Sequence, residues 1–146
     1  MWRLRLHFNE QDEPSNFLSQ IQAVEQPYDS IHSLSHLDDC VNACLGLWVR
    51  RGPFGIYNVV NPGAVSTHDI LQMIQRILKP PRQFRLLVYE HEPLAANVKA
   101  SPAGCILDVS KLQSTGVKLR HVREALESSL RKWEPRRVRR VGVMQG

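Results

Sequence analysis

Ser33-Leu-Ser-His-Leu-Asp-Asp-Cys-Val-Asn-Ala-Cys44 (SLSHLDDCVNAC) is the stretch whose reading decides the fold. With His32 in front of it, His32, His36, Cys40 and Cys44 stand at steps of four, which raises a zinc site. Helix geometry argues against one. Each step of four turns about 40° around the axis and climbs about 6 Å, so four such side chains cannot converge on one ion. Tetrahedral zinc draws its ligands from at least two segments, because turns bring thiolates together. Read as a helix, the stretch is coherent. Leu37, Val41, Cys44, Leu45 and Trp48 follow i, i+4, i+7, i+8 and i+11, which predicts one apolar, buried face. Ser35, with Asp38 three residues later, suits the N-cap. Arg50 and Arg51 suit the last turn, and Gly52 the end. Cys44 then packs as a small hydrophobe. No metal is expected, and the lone Cys105 adds no ligand set.

Elements on either side carry their own punctuation. Trp2, Leu4, Leu6 and Phe8 alternate with Arg3, Arg5 and His7, which predicts a strand over 2–8. Pro14 opens a helix marked by Phe17, Leu18, Ile21 and Val24. GIYNVV (55–60) predicts a strand, and Asn61-Pro-Gly63 a turn. Ser66 and Asp69 repeat the capping pattern before Ile70, Leu71, Ile74, Ile77 and Leu78, and Pro80 and Pro81 stop that helix. FRLLVYE (84–90) predicts a strand, 93–104 a loop, and 105–112 an extended piece entering a short helix. Val122, Ala125, Leu126, Leu130 and Trp133 mark a last helix. Helices and strands alternate, so the class is α/β.

The 146 residues, 42% apolar and 23% charged, suit one globular domain. No apolar run is long enough to span a bilayer, and the alternating N-terminus lacks a signal-peptide core. Three cysteines form no disulfide framework, so free thiols and a cytoplasmic location are expected. Residues 131–146 carry six basic side chains against Glu134, while the rest of the chain is balanced. The net +5 is therefore a property of a basic tail, assigned to 134–146 and read as solvated. No aromatic residue follows Trp133, so nucleic acid is not an expected partner, and neither is a membrane. No G-x-S-x-G elbow, P-loop or G-x-G-x-x-G cluster is present. His91 and His121 read as surface or helix-end residues.

In order along the chain stand His36-Leu-Asp-Asp39 with Val41 and Ala43, Gly55-Ile-Tyr-Asn58, Ser66, and Leu107-Asp-Val-Ser-Lys-Leu112. This set resembles the C-terminal part of extended short-chain dehydrogenase/reductases of the sugar-nucleotide branch, the dTDP-4-dehydrorhamnose reductases and NAD-dependent epimerase/dehydratases. The resemblance covers residues 2–133. It implies the C-terminal portion of a doubly wound, Rossmann-like reductase with its small substrate lobe, lacking the N-terminal dinucleotide-binding half. It implies NAD(P) for the complete fold and a nucleotide-sugar substrate. The glycine-rich loop is missing, and Tyr28, Tyr57 and Tyr89 are followed four residues on by His32, Asn61 and Pro93, so no Tyr-x-x-x-Lys pair exists.

No catalytic or cofactor-binding residue carries over. Where the family places an arginine suited to a nucleotide phosphate, this chain has Ala100-Ser-Pro-Ala-Gly104. Asn16, Ser101 and Gly104 are the substrate-side candidates, a plain helix-start role being the alternative for Asn16. The expected function is the substrate lobe of such an enzyme, inactive alone, with no cofactor bound by this chain. The alternative is a non-catalytic regulatory or interaction module, as in proteins resembling the regulatory subunit of methionine adenosyltransferase. Uncovered strand edges predict a homodimer or a protein partner. A glycine-rich loop and Tyr-x-x-x-Lys encoded upstream would mark Met1 as an internal position.

Overall fold

Short paired strands alternate with helices in the computed structural model, which describes residues 1–86 and 104–136. β1 (Trp2–Arg3) lies parallel to β5 (Tyr57–Asn58), and β2 (His7–Phe8) parallel to β4 (Ser35–His36). β3 (Ile31–His32) runs antiparallel to β6 (Val65–Ser66). The helices are α1 (Phe17–Ala23), α2 (Leu37–Val49), α3 (Thr67–Ile77), α4 (Ser110–Ser114) and α5 (Val122–Arg131). This is the mixed α/β architecture that the alternation of elements predicts.

Apolar residues gather in two clusters. The larger unites Phe8, Leu18 and Leu34 with Ile70 and Ile74 of α3 and Leu126 and Leu130 of α5. The smaller lies under α2, where Cys40, Ala43 and Leu47 meet Tyr57, Val59 and Leu112.

The segment 2–8 is not one strand. Leu6 takes a φ of 41°, a left-handed conformation uncommon for a non-glycine residue, and the chain breaks there. The break lets the two halves serve different partners, β1 with β5 and β2 with β4. Of 55–60 only Tyr57–Asn58 pairs as strand, while Val59 and Val60 are buried beyond it. Phe84 to Leu86 form no strand, and the rest of that expected strand lies outside the described residues.

The cap of α2 is His36, one residue later than expected: its ring accepts from the Asp39 N–H at 3.4 Å. Ser35 is instead fully buried, its hydroxyl donating to the Val59 carbonyl at 2.9 Å and accepting from the Arg5 N–H at 3.1 Å. The buried face of α2 also differs. Cys40, Ala43 and Leu47 face the core, whereas Val41, Leu45 and Trp48 face solvent and Cys44 lies between. Both faces are apolar, and the core takes the one that meets Tyr57, Val59 and Leu112.

Local signals fare better. Gly52 closes α2 by donating to the Leu47 carbonyl at 2.9 Å. Gly63 sits at φ 91° in the turn, against the His121 ring. The Ser66 hydroxyl accepts from Asp69 N–H at 3.1 Å and the Asp69 carboxylate accepts from Ser66 N–H at 3.4 Å, a complete capping box. The chain is still held beyond Trp133: Glu134 forms a bridge with Gln11, and residues 137–146 of the expected tail lie outside the described residues. Ser66→Ala removes one side of the box at the start of α3, and urea unfolding should show a loss of about 1 kcal/mol.

Candidate functional site

Two polar centres stand where the elements meet. The first joins α2, the turn after β5 and the segment before α5. Arg120 donates to both carboxylate oxygens of Asp39, from Nη2 at 3.0 Å and from Nε at 3.1 Å. Asn61 is fully buried and its groups are all engaged. Its Oδ1 accepts from the His36 N–H at 2.8 Å, and its Nδ2 donates to Asp39 at 2.7 Å and to the Arg120 carbonyl at 3.1 Å. Glu10 approaches the far side of the His36 ring at 3.9 Å. Every member is used to hold another, so this cluster is a fastener and not a reacting centre.

The second centre is built around His32 on β3. Its ring is 5% exposed, edge-on to Phe17 at 6.4 Å between centroids. Nε2 contacts the Ser30 hydroxyl at 2.6 Å, while Nδ1 is buried without a partner among the described residues. Arg5, from the break between β1 and β2, brings a second buried and unpartnered polar atom, its Nε. Burial, and then the Arg5 charge, push the His32 pKa down. A buried polar atom left unpaired is costly, so the Arg5 Nε donor and the His32 ring nitrogen make this centre the candidate site.

The sequence-derived candidates fall around this centre. Gly104 packs on the backbone of Ile31, where an added Cβ would lie 2.6 Å from the Ile31 carbonyl oxygen, so only glycine fits. The next residue, Cys105, bridges His32. Asn16 caps α1 just before Phe17. Its side chain is 2% exposed, accepts from the Leu18 N–H at 2.9 Å and donates to the Asn9 and Gln11 carbonyls at 2.9 and 2.6 Å. That capacity is spent on the fold. Ser101 lies outside the described residues. Periodicity passed over Arg5 and His32 because they come from separate segments, the break between β1 and β2 and strand β3, and in the alternation of 2–8 Arg5 reads only as a polar-face residue.

The described residues do not fit a dinucleotide. α2 begins on the residue after β4, with no glycine-rich turn between them. Its first turn carries Asp38 and Asp39, and that of α3 carries Asp69, so each of these helix starts repels a pyrophosphate. Among the described residues no three His, Cys, Asp or Glu side chains gather to hold a metal. His32, His36, Cys40 and Cys44 are spread over β3, β4 and α2, and burial pushes the Cys40 thiol up to about 12. An open groove of ≈ 910 Å³ beside Asn16 is lined by Asp12, Glu13 and Glu134 against Arg136, which suits no anion. No helix among the described residues is long and apolar enough to cross a membrane.

Arg120→Met leaves the Asp39 carboxylate part-buried and unpaired, and should cost about 2 kcal/mol of unfolding free energy. Asp39→Asn combined with it should cost less than the two single changes added together, which a double-mutant cycle measures. The His32 pKa lies below its ordinary 6.5 when folded and returns to that value on unfolding. The unfolded chain therefore binds more protons below that pH, so stability is full above 6.5 and falls as pH drops through and below it. His32→Gln should flatten that slope in denaturation midpoints taken across the range.

No family model matches the chain. Among curated proteins it is 29% identical over 113 residues to the bifunctional dTDP-4-dehydrorhamnose 3,5-epimerase/dTDP-4-dehydrorhamnose reductase of Arabidopsis thaliana, covering 77% of this chain and 36% of that protein. Among solved structures, the UDP-rhamnose synthase L780 of Acanthamoeba polyphaga mimivirus superposes with a TM-score of 0.75 at 24% identity, over 90% of this chain and 45% of that one. MoeE5 in complex with UDP-glucose and NAD gives 0.65 at 21% identity, again over 90% and 45%. At these identities the structures establish the fold. This chain spans about a third to a half of the length of its relatives. Its relatives and structural neighbours are dTDP-4-dehydrorhamnose reductases and UDP-rhamnose synthases of the extended short-chain dehydrogenase/reductase type, matched over part of their length.

Proposed function

We propose that the chain supplies the substrate-side lobe of an NAD(P)-dependent sugar-nucleotide reductase or epimerase, corresponding to the C-terminal part of that fold. It takes the diphosphate of the nucleotide sugar at Arg5 and His32 and has no dinucleotide site of its own. One observation carries this reading: the start of α1 and the return of the chain at Gly104 converge on His32, where two buried polar atoms are unpaired among the described residues. The family's arginine is absent from 100–104, and Arg5 provides the positive charge in its place. Arg5 attracts a diphosphate and His32 orients it through Nδ1, while Phe17 shields the ring from water. The lobe binds and positions; hydride transfer belongs to the NAD(P)-bearing half, so the chain alone is inactive.

Calorimetry with UDP-glucose tests the binding site. The diphosphate of a nucleotide sugar keeps its charge through this range, so protonation of His32 strengthens the attraction. Affinity should rise as pH falls through the folded His32 pKa, which burial holds below the ordinary 6.5, His32→Gln should remove the pH dependence, and Arg5→Met should weaken binding about tenfold. NADPH added to the same protein should give no fluorescence change; tight NADPH binding overturns the assignment of the lobe.

A further inference from the structure

Ser30, directly before β3, stands behind the His32 ring. Its Oγ lies 2.6 Å from Nε2. The serine is fixed by its backbone against the start of α3: its carbonyl accepts from the Thr67 N–H at 3.0 Å and from the Thr67 hydroxyl at 3.3 Å. Among the described residues the Ser30 hydroxyl has the His32 ring as its one hydrogen-bond partner. The contact holds no element in place that the backbone does not already hold, so its effect falls on the ring.

An uncharged imidazole carries one hydrogen, and the nitrogen that holds it is set by the bond the other nitrogen makes. A serine hydroxyl can donate or accept. The distance separates the two cases. N–H donors settle at about 2.9–3.0 Å from oxygen, while hydroxyl donors come closer. At 2.6 Å the contact is that of a hydroxyl donor, so Nε2 accepts and the ring hydrogen sits on Nδ1. Nδ1 is the buried atom without a partner among the described residues, in a ring 5% exposed. An N–H there attracts an anionic oxygen, whereas the opposite tautomer turns a lone pair toward it and repels it.

We propose that Ser30 is a positioning residue: its hydroxyl donates to Nε2 and holds His32 as the Nδ1–H tautomer, so that the uncharged ring presents a donor to the diphosphate. The role rests on the reading of Arg5 and His32 as the diphosphate site. Among the described residues Arg5 is the charged group that acts on the ring, with Phe17 edge-on to it and Cys105 paired to its backbone. Burial and the Arg5 charge both disfavour protonation, so the uncharged ring is the form that meets a ligand at neutral pH. Its contribution there depends on which nitrogen bears the hydrogen, and Ser30 decides that.

Nitrogen NMR of the full chain, isotope-labelled at histidine, reads the tautomer directly, because a protonated ring nitrogen and a bare one resonate far apart. Well above the folded His32 pKa, Nδ1 should be the protonated nitrogen and Nε2 the bare one. Ser30→Ala should remove that preference, and Ser30→Thr, which keeps a hydroxyl, should retain it. Calorimetry with UDP-glucose gives the second readout. Ser30→Ala should weaken binding about tenfold above the folded His32 pKa, with Ser30→Thr restoring it. The loss should shrink as pH falls through that pKa, since the charged ring carries hydrogen on both nitrogens. A merely structural serine would lose affinity equally at every pH. A bare Nδ1 in the unaltered chain, a Ser30→Ala ring that keeps the Nδ1–H form, or a loss independent of pH overturns the proposal. An unaltered chain that shows the expected spectrum yet binds no UDP-glucose overturns the diphosphate site, and the positioning role with it, while the tautomer stands on the spectrum; the two failures are thus told apart.

Discussion

The ion pair between Asp39 and Arg120, 81 residues apart, is the constraint on which the arrangement depends. Each described strand is two residues long, so backbone ladders alone cannot fix how the pieces lie. Side-chain bonds do that instead. Asp39 opens α2 over the smaller core, and Arg120 lies just before α5 on the larger one. Asn61 spans the two, tied also through its N–H to the Leu34 carbonyl at 2.9 Å. The pair is part-buried, where Coulomb attraction is less screened than at the surface, and every polar group around it has a partner.

What was legible in the sequence was local. The Ser66–Asp69 box, the turn at Gly63 and the apolar stripe of α3 each depend on residues within one or two turns of each other, and each formed where it was expected. The buried face of α2 was not legible, for a physical reason. Its two faces are both apolar, and periodicity favours the one with the larger side chains. The fold chose Cys40, Ala43 and Leu47, which pack with Tyr57, Val59 and Leu112, residues far enough along the chain that periodicity does not register the contact. The cap shifted from Ser35 to His36 for a similar reason: Ser35 was needed by the Val59 carbonyl and the Arg5 N–H, which no local pattern reveals.

The candidate site was legible only in outline. The family resemblance pointed to the start of α1 and to 100–104, and both described ends, Phe17 and Gly104, abut β3. Asn16 has the polar chemistry of a binding residue but spends it on three backbone carbonyl or amide partners. His32 has no local signal. It entered the sequence argument as one rung of a His and Cys ladder, and its place is set by Cys105, far along the chain.

The start of α2 shows how fold and function constrain each other. A helix N-terminus that follows a parallel strand is a ready site for phosphate, because its free N–H groups and dipole both favour negative charge. Here Asp38 and Asp39 supply that negative charge from within, and Asp39 is then neutralised by Arg120. The field that could hold an anion is consumed in fastening the two cores together. Arg5 and His32 are under no such demand. Among the described residues the buried Arg5 Nε and His32 Nδ1 have no hydrogen-bond partner, which is why the diphosphate site is proposed there.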